Sequence, residues 1–297
     1  MHPNAPVGII GLGLMGTALS GRLIDAKLPL IGFDIDAARC EQLKASGGAV
    51  ATSVRELARR SRTIIVAVYD GNQVEALFGD IENGTDPARP IVICTTTCAP
   101  DEIVRLARRA AAAGIPFVEA PISGTSAELR DGAATTLLAG ETGAIEKVGT
   151  LLDILCPRRV RVGGIGDASR VKLAINLILQ NNRAALAEGI AFAECLGLDG
   201  RAFLAAARES AAYSRVMDTK GEKMLARDFR PQSHISQTLK DAELILEEAR
   251  RRGLPLPVTT AQTDLLRAAI AIEGPDSDSA AVIEAIRQRP AASEISR

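Results

Sequence analysis

Short apolar runs alternate with helical patterns through the first half of the chain and give way to helical patterns alone in the second. Val7 to Ile10, Leu30 to Phe33, Thr63 to Val68, Pro90 to Cys94, Pro116 to Glu119, Thr135 to Ala139 and Arg159 to Val162 read as strands. Most are continuously apolar, as expected of parallel strands covered on both faces. The intervening stretches read as helices. One runs from the first glycine cluster through Leu23. Another opens on Ser53-Val54-Arg55-Glu56, which has the form of a capping box, and a third is closed by Gly114. A further helix covers 145–155. Gly163-Gly164-Ile165-Gly166 then punctuates the chain, and the strand signal stops. A helix follows from Ala168 to Leu196, then helices near 199–210, 213–226, 234–252, 257–272 and 277–288, set apart by Pro255, Pro257 and Gly274-Pro275. The pattern predicts an α/β, doubly wound Rossmann-type domain over 1–166 and an all-α domain over 167–297, joined by a long helix at 167–197. The tail from Pro290 is polar and is expected to fray.

Composition narrows the class. The chain has 297 residues, 47% hydrophobic and 24% charged, which suits about two domains with large cores of their own. A net charge of −1 gives no pull toward nucleic acid or an anionic membrane. Arg158–Arg161 and Arg250–Arg252 are short clusters and read as solvated faces. Aromatics are 3% of the chain, too few for base-stacking platforms. Cys40, Cys94, Cys98, Cys156 and Cys195 are scattered and odd in number, which predicts reduced thiols, a cytoplasmic setting and no zinc site. The start of the chain lacks the features of a secretory signal, and no apolar run is long enough to cross a membrane.

The first strand leads into Gly11-Leu12-Gly13-Leu14-Met15-Gly16 and a helix. Strand, GxGxxG and helix in register form the dinucleotide-binding fingerprint. The first glycine permits the tight turn, the second admits a pyrophosphate, and the third lets helix and strand pack closely. Asp34 ends the second strand, 18 residues past Gly16. A carboxylate there bonds ribose hydroxyls and repels a 2′-phosphate, so NAD is favoured. Arg39 nearby leaves NADP open. The plainer alternative is a structural glycine turn, with Asp34 or Asp36 as a helix cap.

In Val171 to Leu179 the only polar residues are Lys172 and Asn176. Apolar residues all round predict a helix buried all round. Four residues apart, the two share one face. A dry setting lowers a lysine pKa, and at about 7 to 8 it exchanges protons at neutral pH. Asn176 offers a donor and an acceptor to orient a substrate. The alternative is a lysine that snorkels out of a helix end. Two loops complete the candidates. Thr95-Thr96-Thr97-Cys98-Ala99-Pro100 follows a strand, where ligands bind in open α/β folds or where threonines serve plain turn chemistry. Ala120 to Ser126 is rich in small residues, either a nest for a carboxylate or a surface loop.

Taken together these segments resemble the β-hydroxyacid dehydrogenase family, which includes 3-hydroxyisobutyrate dehydrogenase and tartronate semialdehyde reductase. GLGLMG at 11–16, EAPISG at 119–124, GIGDASRVKLAIN at 164–176 and LKDAELILEEA at 239–249 carry the likeness across nearly the whole chain. The resemblance implies that Lys172 is the proton-transferring residue and that Asn176 binds substrate. It implies that Ser123, Gly124 and Thr125 hold the substrate carboxylate, that Thr97 lies by the nicotinamide and that Lys240 reaches toward the cofactor, with Asp241 beside it. The family usually has a second glycine where Thr125 stands and often an asparagine where Ile175 stands, so the substrate side departs from the pattern. The 6-phosphogluconate dehydrogenases share the lysine helix but are much longer and carry a histidine at the Ile175 position.

The expected activity is hydride transfer between NAD(P) and a small β-hydroxy acid or semialdehyde. The rivals are reduction of an imine or larger carbonyl on the same scaffold, and a dinucleotide-binding module without chemistry. A tyrosine–lysine pair is absent at both Tyr69 and Tyr213. Of the histidines, His2 lies at the terminus and His234 reads as structural near a helix start. The expected partners are a small carboxylate and further copies of this chain, as a homodimer or larger homo-oligomer.

Overall fold

The computed structural model describes residues 5–84 and 89–288. His2 and the tail from Pro290 lie outside them. The chain divides into two compact units, 1–172 and 173–297. That division runs inside the long helix, whereas the sequence pattern sets the boundary ahead of it, at residue 166.

The first unit alternates strand and helix: β1 (Val7–Ile10), α1 (Leu14–Asp25), β2 (Leu30–Phe33), α2 (Ala37–Ala45), β3 (Ala49–Val50), α3 (Val54–Arg60), β4 (Thr63–Val66), α4 (Gly71–Gly84), β5 (Ile91–Cys94), α5 (Pro100–Ala112) and β6 (Phe117–Glu119). Next come β7 (Ile122–Ser123), α6 (Ser126–Arg130), β8 (Thr135–Gly140), α7 (Thr142–Lys147), α8 (Gly149–Leu155) and β9 (Arg158–Gly163). The strands form one sheet in the order β3-β2-β1-β4-β5-β6-β8-β7, with β9 on β8. Pairing is parallel through β6, and β8 runs antiparallel to β6 and β7. The order of the first six strands is that of the doubly wound dinucleotide-binding sheet. Its central strands are buried on both faces by two separate cores, one around Ile9, Leu19, Leu23 and Ile65, the other around Ile64, Val66, Phe78 and Ile103. That double burial is why these strands read as unbroken apolar runs.

Differences from the sequence pattern have local causes. β3, β7 and α6 are too short to show a period. The stretch 145–155 is two helices broken at Val148, whose ψ of 7° leaves the helical range. The box at Ser53 is half formed. Its hydroxyl accepts from the Glu56 N–H at 3.1 Å, but the Glu56 carboxylate reaches back to Thr52, through N and Oγ1 at 2.7 Å each.

The second unit continues α9 (Asp167–Cys195) and adds α10 (Gly200–Arg208), α11 (Val216–Ala226), α12 (Ile235–Arg251) and α13 (Pro257–Glu273). The stretch expected as a helix at 277–288 is a 3₁₀ turn, Ser279–Ile283, followed by the one-turn α14 (Glu284–Arg287). The fully buried run Ser279 to Ala285 explains the tighter form. α9 is not buried all round. Ile178 is 61% exposed and Phe192 65%, on the face opposite Leu173, Ala184, Ala187 and Ile190.

Candidate active site

The cofactor side is built by the first unit. β1 ends at Gly11, which sits at φ +91° with its carbonyl against α1. A Cβ on Gly16 would lie 1.9 Å from the Gly11 oxygen, and one on Gly11 would lie 2.4 Å from the Ala67 oxygen. These two glycines are required by packing. Gly13 differs, because the nearest atom to a Cβ there is Arg39 Nη1 at 3.8 Å. The space over Gly13 is open, and Gly13 caps α1 with no side chain bonded to the first turn. Leu14, Met15 and Gly16 thus present helix N-terminal N–H groups to an open cradle, which suits a pyrophosphate. The residues present therefore fit a dinucleotide.

Asp34 closes one side of that cradle. Its Oδ2 accepts the Leu12 N–H at 2.6 Å, and its Oδ1 accepts the Asp36 N–H at 2.9 Å. One carboxylate thereby ties the end of β2 to the glycine loop and keeps lone pairs for a ribose. Asp36, not Asp34, caps α2, through the Ala38 N–H at 2.9 Å. Arg39 Nη1 stands 3.5 Å from Asp34 Oδ2 with its side chain about half exposed.

At the ends of β4 and β5 the three threonines have separate duties. Thr95 donates to the Val66 carbonyl at 2.9 Å. Buried Thr96 accepts from the Val68 N–H and faces the Val68 carbonyl, both at 3.1 Å. Those two lace the strand ends together, and half-buried Thr97 stands at the carboxyl edge of the sheet.

The segment 119–125 and the start of α9 are joined by Glu119, which is 1% exposed. Its Oε2 accepts the Gly166 N–H, and its Oε1 accepts both the N–H and the hydroxyl of Ser169, each at 2.6 Å. Burial pushes the Glu119 carboxyl above its ordinary value, against the pull of those three donors. Lys172 lies one turn beyond Ser169, so Glu119 fixes the helix end that carries it. Lys172 is buried, at 6% exposure, and does not snorkel into solvent. Sequence patterns missed Glu119 because its partners lie 47 and 50 residues away.

Thr125 is more engaged than the expected carboxylate ligand. It caps α6 in a full capping box, its N–H going to Glu128 Oε2 at 2.8 Å and its Oγ1 accepting from the Glu128 N–H at 3.2 Å. That N–H is therefore committed within the loop, while half-buried Ser123 and Gly124 precede it.

In the second unit Asn176 is 5% exposed and donates to Asp241 Oδ2 at 2.8 Å. Lys240 Nζ stands 3.0 Å from Asp241 Oδ1. Asp241 thus holds both the candidate substrate amide and the candidate cofactor lysine. Sequence gave it only as a neighbour of Lys240, because Asn176 is 65 residues away. Farther along the buried face of α9, Gln180 donates to the Thr238 carbonyl at 3.2 Å and accepts from Gln262 at 2.9 Å. One turn on comes Arg183, whose pKa burial pushes down to about 10, with Asp278 pulling it partly back. His234 heads α12 and its Nδ1 lies 2.8 Å from the Asp276 carbonyl, a structural place.

Residues 6–164 match the family described as the NAD binding domain of 6-phosphogluconate dehydrogenase. Residues 166–286 match the one described as NAD-binding of NADP-dependent 3-hydroxyisobutyrate dehydrogenase. The chain is 31% identical over 284 residues to the 2-hydroxy-3-oxopropionate reductase of Escherichia coli (strain K12), covering 94% of this chain and 96% of that one. The structure of 3-hydroxyisobutyrate dehydrogenase from Salmonella typhimurium superposes with a TM-score of 0.85 at 25% identity, over 94% of this chain and 98% of that one. An imine reductase from Pseudomonas sp. shares the fold at 22% identity and a TM-score of 0.65, over 95% and 99% of the chains.

Proposed function

The chain belongs to the β-hydroxyacid dehydrogenase family, and from that premise we propose that Lys172 is the acid/base of an NAD(P)-dependent oxidation of a small β-hydroxy acid to its semialdehyde, and of the reverse reduction. The observation that carries the proposal is the pair on α9: a buried lysine and, one turn on, a buried asparagine held by Asp241. The better match to hydroxy-acid enzymes, at 31% identity against 22% for the imine reductase, favours this reading over imine reduction. A module without chemistry would need no lysine in a dry setting.

Gly11 to Gly16, Asp34, Thr97 and Lys240 hold the dinucleotide, and the bound nicotinamide supplies the hydride acceptor or donor. Ser123 and Gly124 hold the substrate carboxylate through hydroxyl and N–H. Thr125 keeps that loop in shape and adds its hydroxyl proton at most. Lys172 takes the proton from the substrate hydroxyl in oxidation and returns it to the semialdehyde oxygen in reduction. Asn176 orients that oxygen, its own amide fixed by Asp241. Asp34 favours NAD over NADP.

The protein is further proposed to be cytoplasmic and homodimeric. All five cysteines are free, as in a reducing compartment. Ala174, Ile178, Ala185, Phe192 and Leu196 form an exposed small and apolar stripe on α9, the kind of surface a second copy covers. Light scattering at micromolar concentration should give twice the chain mass, and Phe192→Glu should give the chain mass alone.

The chemistry is tested with short 3-hydroxy acids, NAD and NADP in parallel, on wild type and Lys172→Ala. Lys172→Ala should cut turnover by about 10² to 10⁴-fold, the range for a positioned acid/base, with NAD affinity nearly unchanged. A variant retaining more than about half the rate would remove Lys172 from the role.

A further inference from the structure

We propose that Arg183 receives a second anionic group of the substrate, so that the enzyme acts on β-hydroxy acids carrying a distal carboxylate. The inference rests on the reading of Lys172 and Asn176 given above. Arg183 is 6% exposed, and its Nε and Nη1 are buried without a hydrogen-bond partner among the described residues. Buried polar groups are nearly always paired, and a buried charge without an acceptor is costly. A guanidinium in this state points to an acceptor from outside the chain.

The neighbouring acid does not supply it. Asp278, fully buried, takes both of its contacts with Lys220 Nζ at 2.7 and 2.9 Å. It also accepts the N–H groups of Gln232 at 2.8 Å, Ser233 at 3.3 Å and Ala280 at 2.9 Å. A carboxylate offers about four acceptor sites, so Asp278 is saturated. Glu284, the other fully buried acid of this unit, is held by Arg227 at 3.0 Å and Arg287 at 3.1 Å. Arg183, Lys220 and Asp278 together leave one positive charge in the interior, and an incoming anion balances it.

Position on the helix names the kind of anion. Lys172, Asn176, Gln180 and Arg183 are all buried and fall at helical spacing on one stripe of α9. From Asn176 to Arg183 is about 10 Å of helix. Helix side chains lean toward the N-terminus, so the guanidinium reaches back toward Asn176. Gln180, between them, is neutral and already bonded to Thr238 and Gln262. What remains suits a dicarboxylate with a five- or six-carbon skeleton better than a three-carbon acid. A planar guanidinium with unpaired donors is matched to a carboxylate.

The test compares 2-(hydroxymethyl)glutarate with the analogue in which its distal carboxylate is a primary amide. Wild type should prefer the acid by about 100-fold in kcat/KM, the scale of a charged hydrogen bond gained or lost. Arg183→Met should bring that ratio close to one. It should also raise the unfolding midpoint of the ligand-free protein, because it removes a buried charge that nothing in the chain neutralises. A wild-type ratio near one overturns the inference. So does an Arg183→Met protein that fails to fold, since the guanidinium would then have a structural partner. If wild type oxidises 3-hydroxy monocarboxylic acids but neither glutarate compound, the inference fails and the proposed function stands. If no hydroxy acid is oxidised, the proposed function fails. Thermal stabilisation by glutarate and not by its monoamide, lost in Arg183→Met, then still supports the anion site, and equal shifts overturn it.

Discussion

Glu119 in the sheet unit and Asp278 in the helical unit are both carboxylates with almost no exposure, and each gathers chain segments distant in sequence. They do so by different electrostatics. Glu119 binds one hydroxyl and two backbone N–H groups at the start of α9 and meets no cation among those donors. Asp278 binds a buried lysine as well as three N–H groups. Burial therefore wins at Glu119 and raises its pKa. At Asp278 burial pushes the same way, but Lys220 and the N–H groups overcome it and hold the carboxyl below its ordinary value. The pair has its own cost: burial brings Lys220 down to about 8 in spite of Asp278, with Arg183 adding repulsion. One anchor is a neutralisable carboxyl at a helix end, the other a charge that needs its partner.

The largest expected effect follows from removing one charge of the pair. Asp278→Asn strands Lys220 and should cost about 3 to 5 kcal/mol in urea unfolding, as broken buried pairs do. Lys220→Met with Asp278→Asn should recover part of that loss. If the single substitution proves nearly neutral, the pair does not hold the helical unit together.

Glu119→Gln should cost less, about 1 to 3 kcal/mol, because it strands no cation and only sets an amide N–H₂ against donors. Its sharper consequence is catalytic. Lys172 is one turn from Ser169, so a loosened helix start displaces the proton-transferring group. The expected result is a fall in kcat of about 10-fold or more with KM less affected. A loss of stability with kcat intact would make Glu119 a structural anchor only.

The pH dependence should separate the two anchors by sign. Glu119 has a raised folded pKa, so its contribution is present below the ordinary value of 4.5 and is lost as pH rises through the folded value. Asp278 has a lowered folded pKa, so its contribution is present above the ordinary 3.8 and is lost as pH falls through the folded value. Stability relative to Glu119→Gln should therefore decline from acid toward neutral pH. Stability relative to Asp278→Asn should rise over the same direction. Two difference curves of equal slope would erase the contrast.

These anchors also mark the limit of what the sequence conveys. The glycine loop, Asp34 and the Lys172–Asn176 spacing are local, each set by backbone geometry within one strand–turn–helix or one helix, and they are legible as patterns. The family motifs extended that to Thr97, Ser123 and Lys240. What the sequence did not convey is long-range and made by side chains. Glu119 with Ser169 and Asn176 with Asp241 have no period that a window can detect. Thr125 was misleading for a related reason: a hydroxyl in a small-residue loop reads equally as ligand or cap, and only Glu128 three residues on, in a box not noticed there, decides for the cap. Ile178 and Phe192 misled in the other direction, because an apolar residue facing another chain has the same letter as one facing a core.

The smallest stability effect belongs to a third carboxylate, Asp34, whose cation is exposed. Arg39 lies 3.5 Å away at the surface, so Arg39→Ala should change stability by no more than about 1 kcal/mol. Its interest is cofactor choice. Arg39 Nη1 is also the nearest atom to the open space over Gly13. A 2′-phosphate bound beside Asp34 meets a repelling carboxylate and an attracting guanidinium together. NAD meets only hydrogen-bonding groups. Arg39→Ala should therefore weaken NADP by about 10-fold, one charged contact, and leave NAD nearly unchanged. Fluorescence titration of both nucleotides reads that ratio directly. An unchanged ratio would mean that Asp34 alone sets the preference and that Arg39 serves only to neutralise it.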